Sequence, residues 1–158
     1  MEHYDLVIIG AGPGGLTAAI YAARYKLKVL VLGKLIGGLA SEAYHICNFP
    51  SYGEILGFTL MLKMIEQVKE LKVEIKHEEV LEVIKGDIFQ VITNREKYLA
   101  KKIILATGGE RRKLELEKEK DFIGKGISYC ATCDAPLYKN KTVAVVGGSD
   151  AALTTALL

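Results

Sequence analysis

The stretch Tyr4-Asp5-Leu6-Val7-Ile8-Ile9-Gly10-Ala11-Gly12-Pro13-Gly14-Gly15 decides the fold. Its first half is a short, mostly apolar and partly β-branched run that ends abruptly at glycine, which predicts a buried parallel strand. Residues 16–24 are rich in alanine and have a helical pattern, and residues 28–32 predict a second strand. Together these segments predict a βαβ unit built around a Gly-x-Gly-x-x-Gly turn.

A turn of this kind is typical of dinucleotide-binding sites. In such a unit Gly10 permits the tight turn, Gly12 lets backbone N–H groups approach a pyrophosphate, and Gly15 lets the helix pack close to the strand. The glycine pattern alone is weak evidence, since a plain tight turn can have the same spacing. Because a predicted strand precedes it and a predicted helix follows it, nucleotide binding is the favoured interpretation.

One part of the dinucleotide fingerprint is missing. An acidic residue roughly 20 positions after the turn would hold the ribose hydroxyls, yet the second strand ends at Gly33-Lys34. Our hypothesis is that backbone groups of Gly37 and Gly38 hold the ribose instead. These two glycines lie in a loop-like stretch, residues 35–57, and a loop of this length in a compact domain usually has a function.

The middle of the chain predicts a helix and then a mixture of strands. Residues 58–71 have apolar positions at helical spacing, with Met61 and Met64 expected in the core. After a strand at 73–76, three short β-rich segments predict an antiparallel meander between parallel elements; they are residues 80–84, 88–93 and 98–99. Residues 102–106 predict another buried strand, which ends at Thr107-Gly108-Gly109.

The stretch Tyr129-Cys130-Ala131-Thr132-Cys133-Asp134 contains two thiols separated by two residues. Such a pair can close a small disulfide ring and reopen it, so a redox-active dithiol is the favoured interpretation. Cys-x-x-Cys also occurs in zinc sites and static disulfides. The zinc alternative would add His45 and Cys47, but their spacing is not usual for zinc ligands. Taken alone, Cys47 is expected to be a small buried hydrophobe.

The last part of the chain predicts the beginning of a second βα unit. The charged residues 113–120 indicate a domain junction, and residues 141–146 predict a strand that leads into a second glycine turn at Gly147. The sequence then ends within an apolar helix that no strand follows. A half-unit of this kind cannot bury its own faces, so we expect a fragment of a longer protein or completion by another chain.

Composition narrows the classes of function. The 158 residues are 50% apolar and carry a net charge of +2 that is spread along the chain, which argues against nucleic acid or an anionic membrane as the main partner. Glycine and proline interrupt the uncharged residues 6–23, so neither a membrane span nor a secretory signal is expected. Three cysteines do not make a secreted disulfide framework. A reducing cytoplasm is the expected compartment for a cycling dithiol.

The whole chain resembles the first half of the thioredoxin reductase family of low-molecular-weight flavoprotein disulfide reductases. Residues 9–15 match the FAD loop of that family. Gly37-Gly38 together with Asn48-Phe49-Pro50 match its second FAD-contacting stretch. Ala106-Thr107-Gly108 and the dithiol stretch, residues 129–134, match family signatures, and the latter is nearly diagnostic.

The resemblance implies an α/β protein with two Rossmann-like domains. Residues 1–115 would form the first segment of a three-layer FAD-binding domain with an inserted antiparallel β-meander. Residues 116–158 would begin an NAD(P)-binding domain that carries the Cys-x-x-Cys, and the rest of the FAD domain would lie past residue 158. The implied protein is a homodimeric enzyme without a metal, which uses FAD and NADPH to reduce thioredoxin or a glutaredoxin-like redox protein.

The resemblance also assigns site residues by position. The FAD-binding residues would be Gly10, Ala11, Gly12, Pro13, Gly15, Gly37, Gly38, Asn48, Val80, Ala106, Thr107 and Gly108, and the NAD(P)-binding residues would be Gly147, Gly148 and Ser149. Cys133 would face the flavin, Cys130 would attack the substrate disulfide, and Asp134 would supply or accept the proton. The chemistry agrees with these roles, because a reduced flavin can pass two electrons to one sulfur of a neighbouring disulfide and free its partner thiolate.

The second glycine turn departs from the family pattern. It reads Gly147-Gly148-Ser149-Asp150-Ala151-Ala152, and Ser149 has a Cβ where the backbone would approach a pyrophosphate closely. Some relatives with an altered second turn take electrons from ferredoxin or a deazaflavin, so these donors are the alternative to NADPH. A non-catalytic nucleotide-binding module with a cysteine-based zinc site is the alternative from another class.

Overall fold

The computed structural model describes residues 1–43, 45–109 and 112–157, without the side chains of Thr132 and Cys133. The chain divides into two compact units, Met1–Gly109 and Glu110–Leu158. In the described part of the chain, no helix has the length and apolar character that a membrane crossing requires.

The first unit is a six-stranded mixed sheet with two helices. Its elements are β1 (Glu2–Ile9), α1 (Pro13–Arg24), β2 (Val29–Leu32), a 3₁₀ turn (Gly38–Glu42), α2 (Gly57–Glu70), β3 (Glu74–Lys76), β4 (Val80–Lys85), β5 (Phe89–Thr93) and β6 (Lys97–Leu105). The strand order is β3-β2-β1-β6-β5-β4. The first four strands in this order are parallel, and β4, β5 and β6 pair antiparallel. The predicted βαβ unit and the predicted meander are both present.

The two faces of β1 pack against different layers. Leu6 and Ile8 belong to a core cluster with apolar residues of α1 and α2. The alternate residues Val7 and Ile9 belong to a second cluster, which includes apolar residues of the meander. All four residues of β2 are buried in the same way. Burial on both faces is typical of a central parallel strand, and it produces the three layers that the resemblance implied.

β6 joins the meander to the parallel sheet. It is one strand of nine residues, although the sequence suggested two separate strands, at 98–99 and 102–106. It pairs with β5 over its first residues, 97–100, and with β1 along 98–105. The expectation of burial at 102–106 is wrong, because Leu105 is 68% exposed. The pairing with β5 stops at Ala100, so in the described chain the later residues of β6 have a strand on one side only.

A buried polar network fixes the turn between β3 and β4. The Tyr98 hydroxyl donates to the Glu78 carboxylate at 2.9 Å, and the Thr93 hydroxyl donates to the same group at 2.6 Å. Burial raises the pKa of Tyr98 to about 12, so its hydroxyl remains a donor at neutral pH. Both donors come from the meander. The turn that leads into Val80 is therefore attached to β5 and β6 by side chains as well as by the sheet.

The second unit has short helices and little buried apolar surface. Its elements are α3 (Glu119–Phe122), α4 (Ala131–Asp134), a 3₁₀ turn (Ala135–Tyr138) and α5 (Asp150–Ala156). The prediction of a strand at 141–146 is wrong, and Val146 in this segment is 71% exposed. A parallel strand needs neighbours to pair with and layers to cover its faces, and the described part of this unit supplies neither.

Candidate functional site

Three strand ends meet at one edge of the sheet in the first unit. Ile9 lies opposite Leu32 of β2 and opposite Leu105 of β6. The residues that follow continue the ladder: Gly10 N–H donates to the Leu32 carbonyl at 2.7 Å, and Ala106 N–H donates to the Ile9 carbonyl at 2.8 Å. Ligands of open parallel sheets bind outside the carboxyl ends of the strands, so this edge is the candidate binding site.

Two glycines allow the first turn to pack against its neighbours. Gly10 has a positive φ of 116°, and a Cβ at this residue would lie 2.0 Å from the Ala106 carbonyl oxygen. A Cβ at Gly15 would lie 1.8 Å from the Gly10 carbonyl oxygen. Any larger residue at either position would have to move backbone atoms. The start of α1 can therefore approach the ends of β1 and β6 only with these glycines.

The beginning of α1 offers backbone N–H groups to an anion. Gly12 precedes the helix in an extended conformation, and the first turn contains no acidic residue. Within the described residues no side chain caps this end. The first N–H groups of a helix have no acceptor inside the helix, and the helix dipole makes this end positive. A Cβ at Gly14 would meet nothing within 4 Å, so the approach to these groups is open.

The second glycine loop lies directly against this turn. Gly37 N–H donates to the Ala11 carbonyl at 2.8 Å. Gly37 and Gly38 both have positive φ values, 95° and 59°, and a Cβ at Gly38 would lie 3.0 Å from the Gly12 Cα. The structure thus brings the two predicted glycine stretches together, and the main chain of one contacts the main chain of the other. This arrangement is compatible with the hypothesis that backbone groups replace the missing acidic residue.

The other residues assigned to the first unit are more dispersed. Asn48 lies exposed in the loop between the 3₁₀ turn and α2, and Val80 begins β4, the edge strand of the meander. Thr107 and Gly108 follow Ala106 and are exposed, with a positive φ at Gly108. Hydrogen bonds and close main-chain approaches join the two glycine loops and Ala106. Val80 packs against the core cluster that contains Ile9 and Leu32.

The expectation that Cys47 is buried is wrong. Cys47 is a free, exposed cysteine. Its neighbour Ile46 pairs with Ile55 in an isolated bridge and packs against the small core cluster around Met61. Because successive residues of an extended segment point to opposite sides, the inward position of Ile46 directs Cys47 to solvent.

The second unit contains the dithiol stretch. Cys130 is disulfide-bonded and immediately precedes α4, and Asp134 N–H donates to the Cys130 carbonyl at 3.0 Å. The side chain of Cys133, the proposed flavin-facing thiol, lies outside the described residues. The second glycine turn follows, with a positive φ of 143° at Gly147 and with Gly148 and Ser149 before α5.

Sequence reasoning missed the groups that anchor Tyr129, the residue before Cys130. The Tyr129 hydroxyl donates to Glu119 Oε1 at 2.5 Å and accepts from Leu114 N–H at 2.8 Å. The other oxygen of Glu119 accepts from Leu116 N–H at 3.1 Å, and this glutamate is buried. Glu119 belongs to the charged stretch that indicated only a domain junction. Its proximity to Tyr129 depends on the fold, so the local sequence contains no signal for it.

Comparison with known proteins identifies the family. The model of the pyridine nucleotide-disulphide oxidoreductases matches residues 4–158. The chain belongs to this family. The thioredoxin reductase of Treponema pallidum, a relative, is 43% identical over 158 residues, which cover 98% of this chain and 52% of the relative. The resemblance seen in the sequence is therefore confirmed, and the chain spans about half the length of the curated relatives it matches.

Solved structures of the family have the same fold. A thioredoxin reductase from Lactococcus lactis matches with a TM-score of 0.80 at 41% identity, covering 98% of this chain and 52% of that chain. A ferredoxin-flavin thioredoxin reductase from Clostridium acetobutylicum matches with a TM-score of 0.64 at 38% identity, covering 87% of this chain and 49% of that chain. These matches confirm the predicted Rossmann-like α/β fold.

A zinc site was the alternative interpretation of the Cys-x-x-Cys pair. Among the described side chains, no group of three or more histidine, cysteine, aspartate or glutamate residues is arranged to hold a metal ion. Cys130 is disulfide-bonded, and the side chain of Cys133, the other cysteine of the pair, lies outside the described residues.

Replacing Gly15 by alanine should destabilise the first unit, whereas replacing Gly14 should not. We expect Gly15→Ala to lower the free energy of unfolding by about 3 kcal/mol, the upper end of the usual range for overpacked sites. Gly14→Ala should leave it unchanged or raise it by about 0.5 kcal/mol, because its Cβ would meet open space and glycine disfavours helices. Denaturant unfolding of the two variants measures the difference, and equal stabilities would contradict the proposed close contact.

The Tyr129–Glu119 contact should make the second unit sensitive to acid. The hydrogen bond from Tyr129 lowers the pKa of Glu119 in the folded state. Its stabilising effect is therefore complete above the ordinary glutamate pKa and is lost as the pH falls through the lower folded value. Tyr129→Phe should reduce stability at neutral pH and flatten this acid dependence, which thermal unfolding across the acidic range measures. Tyr138→Phe removes a hydroxyl elsewhere in the unit and should keep the native pH profile.

Proposed function

We propose that this chain is the FAD- and disulfide-bearing part of a thioredoxin-disulfide reductase. In this proposal NADPH is the reductant, and the Cys130/Cys133 dithiol reduces thioredoxin or a glutaredoxin-like protein. The observation that carries the proposal is a disulfide-bonded Cys130 at the start of a helix, in a family member whose first glycine turn leads into a helix without a side-chain cap. The names of the relatives, thioredoxin reductases, support the choice of acceptor.

The first unit fits the pyrophosphate of FAD. Backbone N–H groups at the start of α1 would bind the phosphate oxygens, with Gly12 and Pro13 at the entrance to the helix. The glycine pair Gly37-Gly38 would face the adjoining ribose with main-chain groups, and Ala106-Thr107-Gly108 would border the same edge of the sheet. The support for this fit is steric. A Cβ at Gly10, Gly15 or Gly38 would lie too close to main-chain atoms of the turn or its neighbours, so only glycine allows the main chain to form this site. Bound FAD would supply the electron pair that reduces the disulfide.

The second unit would perform the exchange with the protein substrate. Reduction of the disulfide consumes two electrons and two protons and yields two thiols. In the proposed order, the Cys130 thiolate attacks the substrate disulfide, one substrate sulfur leaves as a thiol, and Cys133 then displaces the other. Asp134 would supply or accept the proton in these steps, because its carboxyl belongs to the same single turn of helix as Cys133.

The sequence of the second glycine turn bears on the choice of electron donor. NADPH would bind at Gly147, Gly148 and Ser149, before α5. Ferredoxin or a deazaflavin is the second candidate, since Ser149 departs from the usual glycine and one structural neighbour is described as a ferredoxin-flavin thioredoxin reductase. We further propose a homodimer, as the family resemblance implies, and a cytoplasmic location, because a cycling dithiol suits a reducing compartment.

The absorption spectrum of the purified protein tests cofactor and donor together. We expect a flavin band that is bleached on anaerobic addition of NADPH. Bleaching by reduced ferredoxin or by dithionite, with no response to NADPH, would contradict NADPH as the donor and leave the reductase intact. A protein that contains no flavin would contradict the proposed function, and bound zinc in its place would favour the non-catalytic module.

Substitution of Cys130 should separate flavin reduction from disulfide reduction. We expect Cys130→Ser to lose turnover with thioredoxin, because no thiolate remains to attack the substrate, while the flavin band still bleaches. The matched control is Cys47→Ser, which removes the free, exposed cysteine of the first unit and should leave turnover unchanged. Normal thioredoxin turnover by Cys130→Ser would show that the assigned roles are wrong.

A further inference from the structure

A small polar cluster surrounds the backbone of the dithiol stretch. The Ser128 hydroxyl oxygen lies 2.6 Å from Oδ2 of Asp134. It also lies 3.2 Å from the Cys130 nitrogen and 3.2 Å from the Cys130 carbonyl oxygen. Ser128 is therefore within hydrogen-bonding distance of the attacking cysteine's backbone and of the acidic side chain six residues after it.

With Asp134 ionised, the distances indicate which group donates and which accepts in each hydrogen bond of Ser128. A hydroxyl has one proton to donate and two lone pairs to accept with. A separation of 2.6 Å is typical of an O–H group that donates to a carboxylate, so the serine proton points to Asp134. The Cys130 N–H then donates to the serine oxygen. The carboxylate and the main chain of Cys130 are thus connected through a single hydroxyl.

The same hydroxyl can serve the protonated acid without any movement of the backbone. A protonated Asp134 can donate its proton to the serine oxygen across the same 2.6 Å. The serine proton then turns to the Cys130 carbonyl oxygen, which is already 3.2 Å away. Each state has a donor and an acceptor for every bond, so the carboxyl group can keep its position when it gains a proton.

The helix alone is a weak support for Asp134. α4 contains only four residues, and an isolated turn of helix is unstable in water. Its backbone connection to the preceding segment is the bond from Asp134 N–H to the Cys130 carbonyl, at 3.0 Å. That bond fixes the main chain and leaves rotation about the Asp134 side chain free. The bond to Ser128 restricts this rotation.

We propose that Ser128 is a positioning residue for proton transfer at the dithiol, through its hydrogen bond to Asp134. The inference rests on the proposed function, in which Asp134 exchanges the proton. Ser128 itself neither gains nor loses a proton overall, because in each state it donates one hydrogen bond and accepts another. Its effect is on the orientation of the carboxyl group. The bond is exposed to solvent, so we expect only a small contribution to stability.

A double-mutant cycle tests the proposal in the flavin-loaded protein, with thioredoxin and an aromatic disulfide reagent as acceptors. We expect Ser128→Ala to lower turnover about tenfold, a part of the ~10²–10⁴-fold that a positioned proton-transfer group provides. Ser128→Thr keeps the hydroxyl and should restore most of the rate. In an Asp134→Asn background, Ser128→Ala should have almost no further effect, because the group it positions no longer exchanges a proton.

The controls separate this inference from the proposed function. Thr154→Ala removes a hydroxyl elsewhere in the second unit and should leave turnover unchanged, and all variants should bleach the flavin band normally. Unchanged turnover in Ser128→Ala, failure of Ser128→Thr to rescue, or an undiminished effect in the Asp134→Asn background would each overturn the positioning role while the reductase stands. Absence of disulfide turnover in the unaltered protein would overturn the proposed function and the positioning role together.

Discussion

The first unit depends on how closely α1 approaches the end of β1. With only a hydrogen atom at Gly15, the helix lies against the carbonyl of Gly10, which in turn lies against Ala106 at the end of β6. Two strands and one helix therefore converge on a single backbone turn. The exposed N–H groups of α1 lie at the edge of the sheet for this reason, and no side chain is needed to place them. The shape of the candidate binding site thus follows from the absence of side chains at a few positions.

The predictions from the sequence succeeded where the structure depends on local sequence patterns. A turn that requires glycine and a strand that requires alternate burial both appear in the local sequence, so the βαβ unit, α2 and the meander were predictable. Burial depends on neighbours that are distant in the sequence. Leu105 and Val146 have the composition of buried strand residues, yet both are exposed, because the described chain provides no layer to cover them. The strand expected at 141–146 is absent for the same physical reason.

The candidate site was predictable in proportion to how much of it consists of main chain. The glycines of the first loop were found from their spacing and those of the second from the missing acidic residue and the family resemblance, and the structure brings the loops into contact. Cys47 was misjudged because its exposure is decided by the pairing of Ile46 with Ile55. Glu119 and Ser128 were overlooked because an acidic residue in a charged stretch and a serine in a loop are ordinary surface residues by composition. Only the fold shows that they reach Tyr129 and Asp134.

Different interactions stabilise the interior of each unit, and the difference is relevant to the proposed redox chemistry. The first has apolar clusters on both faces of its central strands, so its turn is rigid because the surrounding core is packed. In the second, the described residues bury little apolar surface, and the groups around Cys130 are fixed by short hydrogen bonds from Tyr129 and Ser128. A disulfide that opens and closes, as the proposed function requires, changes its local geometry in each cycle. Hydrogen bonds from hydroxyl groups can exchange partners during that change, whereas a close-packed core would resist it. A polar setting therefore suits the proposed redox role of the dithiol, and a packed setting suits the proposed nucleotide-binding turn.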